Sequence, residues 1–370
     1  MKIQKITLYP LVLTLKAPFK TAHGTTKQRP ITLIAVQLIS GIVGYGEIQS
    51  FADNQYAKET HDHSLALVQN LSQLLIGQTF ARPEDGANWL SRKTSLSFAK
   101  AAIEMALWDA YGKQTHQPLA ILLGGQTDKI AVGQAIGMQE NWATTKQLIL
   151  DAIDQGYQRI KIKINQTTDL QTVAALVKAF PKQMFSLDAN AAWRGDKLAD
   201  LQLLDEAGLA LIEQPYAETA WLEHQRGQAA LTRLKLSLDE SLNDIADVKK
   251  AIANHTTAAL TLKQGKLGGI TQTKEAISLA NQARMTPWIG GMLGTGLGRA
   301  VDLILASLPG ANTIPADSAQ FDHYYETDIV TDLPYVEKGY LPVPLQNGIG
   351  VTLNWQAIKQ CLIHEPIVYQ

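Results

Sequence analysis

Five charged residues stand at nearly constant intervals in the middle of the sequence. Lys163, Asp188, Glu213, Asp239 and Lys263 are separated by 25, 25, 26 and 24 residues, and each ends or follows a short apolar run. Such an interval accommodates one strand and one helix, so the pattern predicts repeated βα units with the five charges at one end of consecutive parallel strands. In barrels built from these units, the chemistry lies at the carboxyl ends of the strands.

The three acids indicate a cation site. Carboxylates that converge at one end of a sheet repel one another unless a cation neutralises them, and Asp188, Glu213 and Asp239 offer the hard oxygen donors that Mg²⁺ prefers. Any one of these acids alone is more simply explained as a helix N-cap or a surface charge. Because all three acids recur at the interval of one strand and one helix, we favour a magnesium site.

The lysines indicate what such a site would do. Lys161 and Lys163 share one face of an apolar strand, and Lys263 ends a strand on the opposite side of an eight-stranded barrel. Two ammonium groups would then approach a ligand of the metal from opposite sides. A lysine whose pKa is lowered can remove a proton next to a carboxylate, and a metal can stabilise the resulting enediolate. A surface pair, the alternative for Lys161 and Lys163, fits the flanking isoleucines poorly.

Apolar runs and amphipathic segments alternate after residue 125. The runs cover residues 130–138, 159–164, 184–190, 209–215, 234–240, 259–263, 286–291 and 313–316. They predict eight parallel strands in a barrel that is short for its kind, with a missing or altered last helix. Helices are predicted at 145–155, 169–180, 198–207 and 272–284. The glycines of residues 294–299 are expected to let backbone approach a ligand rather than to bind a dinucleotide.

The two ends of the chain have a different pattern. Strands are predicted at 3–14, 31–38 and 44–48, and helices at 59–75 and 98–111. Residues 341–345 contain two prolines and should be extended without forming a central strand, whereas 348–353 resembles a strand. We expect a capping domain that begins with residues 1–125, a barrel at 126–318 and a C-terminal segment, 319–370, that returns to the capping domain.

The composition narrows the class of protein. Of 370 residues, 46% are hydrophobic and 18% charged, and the net charge is −1, which excludes disorder and indicates neither a nucleic-acid nor a membrane partner. The single cysteine, Cys361, excludes an intramolecular disulfide and a cysteine-based zinc site. No segment has the form of a signal peptide or a membrane span, so a cytoplasmic protein is expected. The sequence leaves a homo-oligomer open.

The charged motifs resemble those of the enolase superfamily, specifically its muconate-lactonising-enzyme subgroup. In order they are Lys161/Lys163, Asp188/Asn190, Glu213-Gln214-Pro215, Asp239-Glu240-Ser241 and Lys263. Residues 17–24, 290–293 and 317–330 resemble the o-succinylbenzoate synthase / N-succinylamino acid racemase family within that subgroup. The resemblance covers essentially the whole chain. It implies an α/β fold, a (β/α)₇β modified TIM barrel with an α+β capping domain built from both chain ends.

The same resemblance implies a role for each site residue. Asp188, Glu213 and Asp239 would bind Mg²⁺, which Mn²⁺ can replace. Lys163 would remove the α-proton of a small-molecule carboxylate, and Lys263 would stabilise the enolate as a cation. Six residues would contact the substrate or surround the metal, namely Lys161, Asn190, Glu240, His23, Gly291 and Met292. The loop at residues 21–24 would close over the substrate.

The family reaction implied for this chain is a lyase reaction in menaquinone biosynthesis. It is the syn dehydration of 2-succinyl-6-hydroxy-2,4-cyclohexadiene-1-carboxylate to o-succinylbenzoate. N-succinylamino acid racemisation uses the same site, but there Lys263 must exchange a proton. Lys266 stands where racemases of the family commonly carry arginine, and Gly294 where an acid is common. Both departures favour the dehydratase, and because both reactions begin with removal of the same proton, racemisation is left open as a secondary activity.

Two alternatives carry less weight. Dipeptide epimerisation is disfavoured because Asp317 and Asp322 do not form an Asp-x-Asp motif near the eighth strand. A non-catalytic ligand-binding barrel is disfavoured because binding alone does not need lysines on two opposed strands.

Overall fold

The computed structural model describes residues 1–22, 24–331 and 334–370. Its strands are β1 (Ile3–Lys20), β2 (Thr25–Leu38), β3 (Val43–Ile48), β4 (Lys129–Ala131), β5 (Gly133–Ile136), β6 (Arg159–Lys163), β7 (Met184–Asp188), β8 (Leu211–Glu213), β9 (Lys235–Leu238), β10 (Ala259–Leu262), β11 (Thr286–Ile289), β12 (Tyr340–Pro342) and β13 (Ile367–Tyr369). Its helices are α1 (His61–Leu75), α2 (Pro83–Ser91), α3 (Ser97–Gln114), α4 (Leu119–Leu123), α5 (Trp142–Asp154), α6 (Leu170–Ala179), α7 (Leu198–Ala207), α8 (Trp221–Ala229), α9 (Ile245–Ala253), α10 (Gln264–Leu267), α11 (Ile270–Gln282), α12 (Gly296–Ala306) and α13 (Trp355–Cys361), and Phe321–His323 forms a 3₁₀ turn.

An antiparallel sheet in the order β13-β1-β2-β3, together with helices α1 to α3, forms a unit that we call the cap. Apolar side chains of β1 and β2, such as Leu8 and Ile34, pack against Leu71 of α1 and Leu107 of α3. The three predicted strands and both predicted helices of this region are present. Helix α2, which is only nine residues long, was not predicted.

The barrel consists of seven parallel strands in the order β11-β10-β9-β8-β7-β6-β5, with helices around them. The predicted helices correspond to α5, α6, α7 and α11, and six of the eight predicted strands correspond to β6 through β11. The first predicted strand, 130–138, is divided: β4 pairs antiparallel with β12, whereas β5 joins the barrel. This confirms the modified barrel inferred from the sequence.

The eighth predicted strand, 313–316, is reduced to a single bridge. Gly133 donates its backbone N–H to the carbonyl of Ala316, and Asp317 donates to that of Ile289, so the segment closes the barrel between β11 and β5. It does not extend into a ladder because Pro315 has no N–H to donate. The Pro315 carbonyl instead accepts a hydrogen bond from Nε of Arg159, at 2.9 Å.

The C-terminal segment returns to the cap, because β13 pairs antiparallel with β1. The strand predicted at 348–353 is wrong: Gly348 and Gly350 adopt positive φ values of 73° and 80°, which bend the chain into turns that extended residues cannot form. The domain limits at residues 125 and 318 stay predictions. Within the described residues, no helix is long and apolar enough to cross a membrane.

Candidate active site

Strand register brings the three predicted acids together. Lys163 pairs with Asp188, and Asp188 with Glu213, at the carboxyl ends of β6, β7 and β8, while Asp239 directly follows β9. All three carboxylates are buried. Lys263 follows β10 and is buried as well, so the acids lie on the arc of strands between the two lysines, as the spacing predicts.

Each acid is directed at a lysine. Nζ of Lys163 lies 2.5 Å from Oδ2 of Asp188, and Nζ of Lys263 lies 2.7 Å from Oδ2 of Asp239. Nζ of Lys161 donates to Oε2 of Glu213 at 2.9 Å, and it also contacts Asp317. Each buried carboxylate of the cluster therefore lies beside a lysine ammonium group. Without this pairing, burial of the charges would be strongly unfavourable.

The electrostatic balance differs among the acids. Burial raises the pKa of Asp188, but the ammonium groups of Lys163 and Lys161 outweigh it and lower that pKa to about 2. Burial likewise opposes ionisation of Asp239, whose pKa is nevertheless lowered by Lys263 and Lys266. Burial and the neighbouring Asp188 charge raise the pKa of Glu213 to about 8. Glu213 is thus the carboxylate whose charge is least compensated by the protein.

The donor set fits a hard divalent cation. Oε1 of Glu213 is buried and, among the described residues, has no hydrogen-bond partner, and the two neighbouring acids add only carboxylate oxygens. The described residues do not include a group of three side chains already arranged around a metal position, because the acids face lysines. A bound cation would neutralise the negative charge of these carboxylates, as the lysine ammonium groups do in its absence.

Asn190 connects two parts of the site. Its Oδ1 accepts a hydrogen bond from Lys163 at 2.9 Å, and its Nδ2 donates to Oε1 of Glu240 at 3.0 Å. Its backbone N–H donates to Oδ1 of Asp188. The structure therefore places Asn190 and Glu240 beside the acids, and their roles around a metal or substrate stay predictions.

A cavity of about 170 Å³ lies between the barrel and the cap. Lys163, Lys263, Gly291 and Met292 line it from the barrel side, together with cap residues such as Phe51. Arg29 of the cap fixes this wall, because its buried guanidinium donates to the carbonyls of Gln49, Ser50 and Met292. His23 lies outside the described residues.

Two residues of the site were not predicted. The hydroxyl of Tyr56, from the cap loop after β3, donates to Oδ1 of Asp239 at 2.8 Å and accepts from Lys263 at 2.8 Å. Asp317 contacts both Lys161 and Arg159. Tyr56 lies in a loop without periodicity, so nothing in the sequence marks it, whereas Asp317 follows the eighth apolar run as the acids follow theirs.

The glycine-rich stretch receives cap side chains, which corrects the expectation that it approaches a ligand. A Cβ at Gly294 would lie 2.5 Å from Nε2 of Gln49 and 2.7 Å from Oε1 of Glu47, and one at Gly298 would overlap both atoms. Glu47 also accepts a hydrogen bond from the backbone N–H of Thr295 at the start of α12. The glycines are needed because the cap inserts two polar side chains there.

We expect Gly298→Ala to destabilise the protein. Alanine ordinarily favours a helix over glycine by about 1 kcal/mol. Here the added methyl group would overlap Gln49 and Glu47, and such overpacking costs about 1–3 kcal/mol. Denaturant unfolding measures the difference, and a variant more stable than the wild type would contradict this packing.

Glu104 of α3 joins the cap to the barrel. Its Oε1 accepts hydrogen bonds from the indole of Trp108 at 3.1 Å and from the backbone N–H of Thr271 at 3.0 Å. Burial raises its pKa from 4.5 to about 7, against the effect of these hydrogen bonds. Between these values the folded chain binds more protons than the unfolded chain, so this group makes stability fall as the pH rises.

Glu104→Gln should remove that contribution. Relative to the variant, the wild type should lose about 3 kcal/mol between pH 4.5 and 7, as an upper estimate. Urea unfolding of both proteins across this range measures the difference. Parallel stability profiles would show that Glu104 titrates normally.

Comparisons with known proteins agree with this architecture. A model described as "Enolase C-terminal domain-like" matches residues 144–357, and the Mandelate racemase / muconate lactonizing enzyme N-terminal domain matches residues 3–124. An o-succinylbenzoate synthase from Listeria innocua is 34% identical over 361 residues, 97% of this chain and 96% of that protein. An N-succinylamino acid racemase from Thermus thermophilus is also 34% identical over 361 residues, 97% of each chain.

The fold is shared as well. The crystal structure of an enolase-superfamily member from Listeria innocua superposes with a TM-score of 0.93 at 34% identity, covering 100% of this chain and 99% of that one. The two family matches cover both parts of the chain, and the relatives align with nearly all of it. The charged motifs indicate the same family. The chain belongs to the enolase superfamily, in the muconate-lactonising-enzyme subgroup and its o-succinylbenzoate synthase / N-succinylamino acid racemase family.

Proposed function

We propose that the chain is an o-succinylbenzoate synthase, a lyase that dehydrates 2-succinyl-6-hydroxy-2,4-cyclohexadiene-1-carboxylate. One observation carries the proposal: Lys163 and Lys263 line one cavity from opposite sides of three buried acids. The full-length relatives with that name support it. The proposal includes the dehydration step of menaquinone biosynthesis and a cytoplasmic location.

In the proposed reaction, Lys163 takes the proton from carbon 1 of the ring, next to the carboxylate. It then gives a proton to the hydroxyl that leaves carbon 6 on the same face, so water departs and the new double bond completes the aromatic ring. Asn190 accepts a hydrogen bond from Nζ of Lys163 through its Oδ1 and so orients that amine group.

Lys263 would remain a cation and stabilise the negative charge that develops on the substrate carboxylate. Burial lowers its pKa, but Asp239 and Glu213 outweigh burial and raise it. Dehydration requires only this cationic role, whereas racemisation requires Lys263 to exchange a proton.

Mg²⁺ is the proposed cofactor, with Asp188, Glu213 and Asp239 as ligands and Mn²⁺ as a replacement. When bound, the ion would supply positive charge for the substrate carboxylate and lower the cost of forming the enediolate. The protein's part is to hold three carboxylates in a buried site beside the two lysines.

N-succinylamino acid racemisation is the second candidate, favoured by the relative from Thermus thermophilus at equal identity. Against it, Nζ of Lys266 is bound to the Asp239 carbonyl at 2.6 Å, and cap side chains fill the space above Gly294. Dipeptide epimerisation is weaker still, because Asp317 already pairs with Lys161 and Arg159.

Purified protein with Mg²⁺ and both substrate types distinguishes the candidates. A dehydratase converts the cyclohexadiene substrate and exchanges the α-proton of N-succinylamino acids slowly or not at all in D₂O. Efficient exchange from both enantiomers without dehydration would instead establish the racemase. No turnover of either type would contradict both.

A further inference from the structure

The two lysines of the site have different surroundings. Among the described residues, the side-chain partners of Lys163 are Asp188 and Asn190, both in the barrel. Lys263 contacts Asp239 of the barrel, but it also donates to the hydroxyl of Tyr56 from the cap. The cap therefore touches one lysine directly.

The residues that follow Lys263 pack against cap helix α3. A Cβ at Gly265 would lie 2.8 Å from the ring of Phe98, and one at Gly269 would overlap the carboxylate of Glu104. Glu104 also accepts the backbone hydrogen bond of Thr271. The chain from 264 to 271 thus packs closely against helix α3 of the cap at Gly265, Gly269 and Thr271.

Gln49 adds a polar link at the start of that chain. Its buried Oε1 accepts a hydrogen bond from Nε2 of Gln264 at 2.7 Å, and Gln264 is the residue next to Lys263. Its Nε2 donates to Oε1 of Glu47 at 2.9 Å. Glu47 is held in turn by Thr295, so Gln49 is anchored on both sides.

We infer that Gln49 and Glu104 are positioning residues for Lys263: the cap holds the segment 263–271 in place through them. Lys163 is the last residue of β6 and pairs with Asp188 of β7, so the barrel positions it, whereas Lys263 follows the end of β10. The cap then has two functions: its residues line one side of the cavity, and its contacts align Lys263. The catalytic part of this inference rests on the proposed function.

The test compares Gln49→Met with the wild type by hydrogen–deuterium exchange of backbone amides, which needs no substrate. Methionine keeps the volume of the side chain and removes both of its hydrogen bonds. We expect exchange in residues 264–271 to rise about tenfold. Exchange in residues 159–164, around Lys163, should stay unchanged.

Two further variants make the comparison specific. Gln264→Met removes the other half of the same hydrogen bond and should reproduce the effect. Gln134→Met makes the same substitution at a buried glutamine of β5 whose Oε1 has no hydrogen-bond partner among the described residues, so it controls for the buried methionine and should leave 264–271 unchanged. Unchanged exchange in Gln49→Met, or an equal rise in Gln134→Met, would overturn the inference.

Kinetics supply the readout that loss of stability alone would not give. In Gln49→Met we expect kcat for dehydration to fall about five- to tenfold with KM within about twofold, because the substrate still binds while Lys263 is misaligned. An unchanged kcat despite faster local exchange would overturn the positioning role. A wild type without dehydratase activity would refute the proposed function, and the exchange comparison would still decide this inference.

Discussion

Replacing Lys163 with arginine should slow dehydration by orders of magnitude while the protein stays folded. Arginine keeps the positive charge that pairs with Asp188 but cannot lose a proton, so it cannot act as a base. Loss of a general base typically costs about 10²–10⁴-fold in rate. We therefore expect kcat/KM to fall by about that factor, measured with fresh substrate and saturating Mg²⁺.

The controls for this variant separate chemistry from folding. Lys249→Arg makes the same change on the surface of α9, where the side chain pairs with Glu275, and should have wild-type activity. Far-ultraviolet circular dichroism and thermal unfolding should show that Lys163→Arg is folded. If it retained a tenth of the wild-type activity, Lys163 would act through its charge and not as the base.

Replacing Glu213 with glutamine should remove most of the metal affinity. Glu213 is the acid whose Oε1 has no hydrogen-bond partner among the described residues, and its charge is the least compensated of the three. Loss of a group that only orients a ligand costs roughly 10–100-fold in affinity, so loss of a ligand itself should cost at least that. Dehydratase activity should fall in parallel.

Isothermal titration with Mg²⁺, or with Mn²⁺ where the heats are small, measures this affinity. Glu240→Gln is the matched control: the carboxylate lies close by and binds Asn190, but we do not assign it as a ligand. It should bind metal more tightly than Glu213→Gln does. Equal affinity of Glu213→Gln and the wild type would remove Glu213 from the proposed metal site.

The barrel and its charged residues could be predicted from the sequence because they depend on a local repeat. A strand and a helix of similar length recur, so residues such as Asp188 and Glu213 reach the same edge of the sheet whatever the loops do. Burial and charge pairing at that edge then follow from the residue types. The prediction of an eighth strand was wrong because a single proline, Pro315, interrupts the hydrogen-bonding pattern.

The contribution of the cap could not be predicted in this way. Tyr56 and Gln49 lie about two hundred residues from Lys263 in the chain, in segments that have no period linking them to the barrel. Their partners are set by how α3 docks on residues 264–271. That docking depends on the shapes of two surfaces. Glycines allow the close contact, but the sequence alone shows only that these positions have no side chain and not what packs against them.

The most direct test of the proposed chemistry is the Mg²⁺-dependent conversion of substrate carrying deuterium at ring carbon 1. We expect the wild type to form o-succinylbenzoate only with the metal present and more slowly from deuterated than from unlabelled substrate, and we expect Lys163→Arg to be about 10²–10⁴-fold slower. Absence of product at any Mg²⁺ concentration, or formation of product by Lys163→Arg at the wild-type rate, would contradict dehydration by this lysine pair.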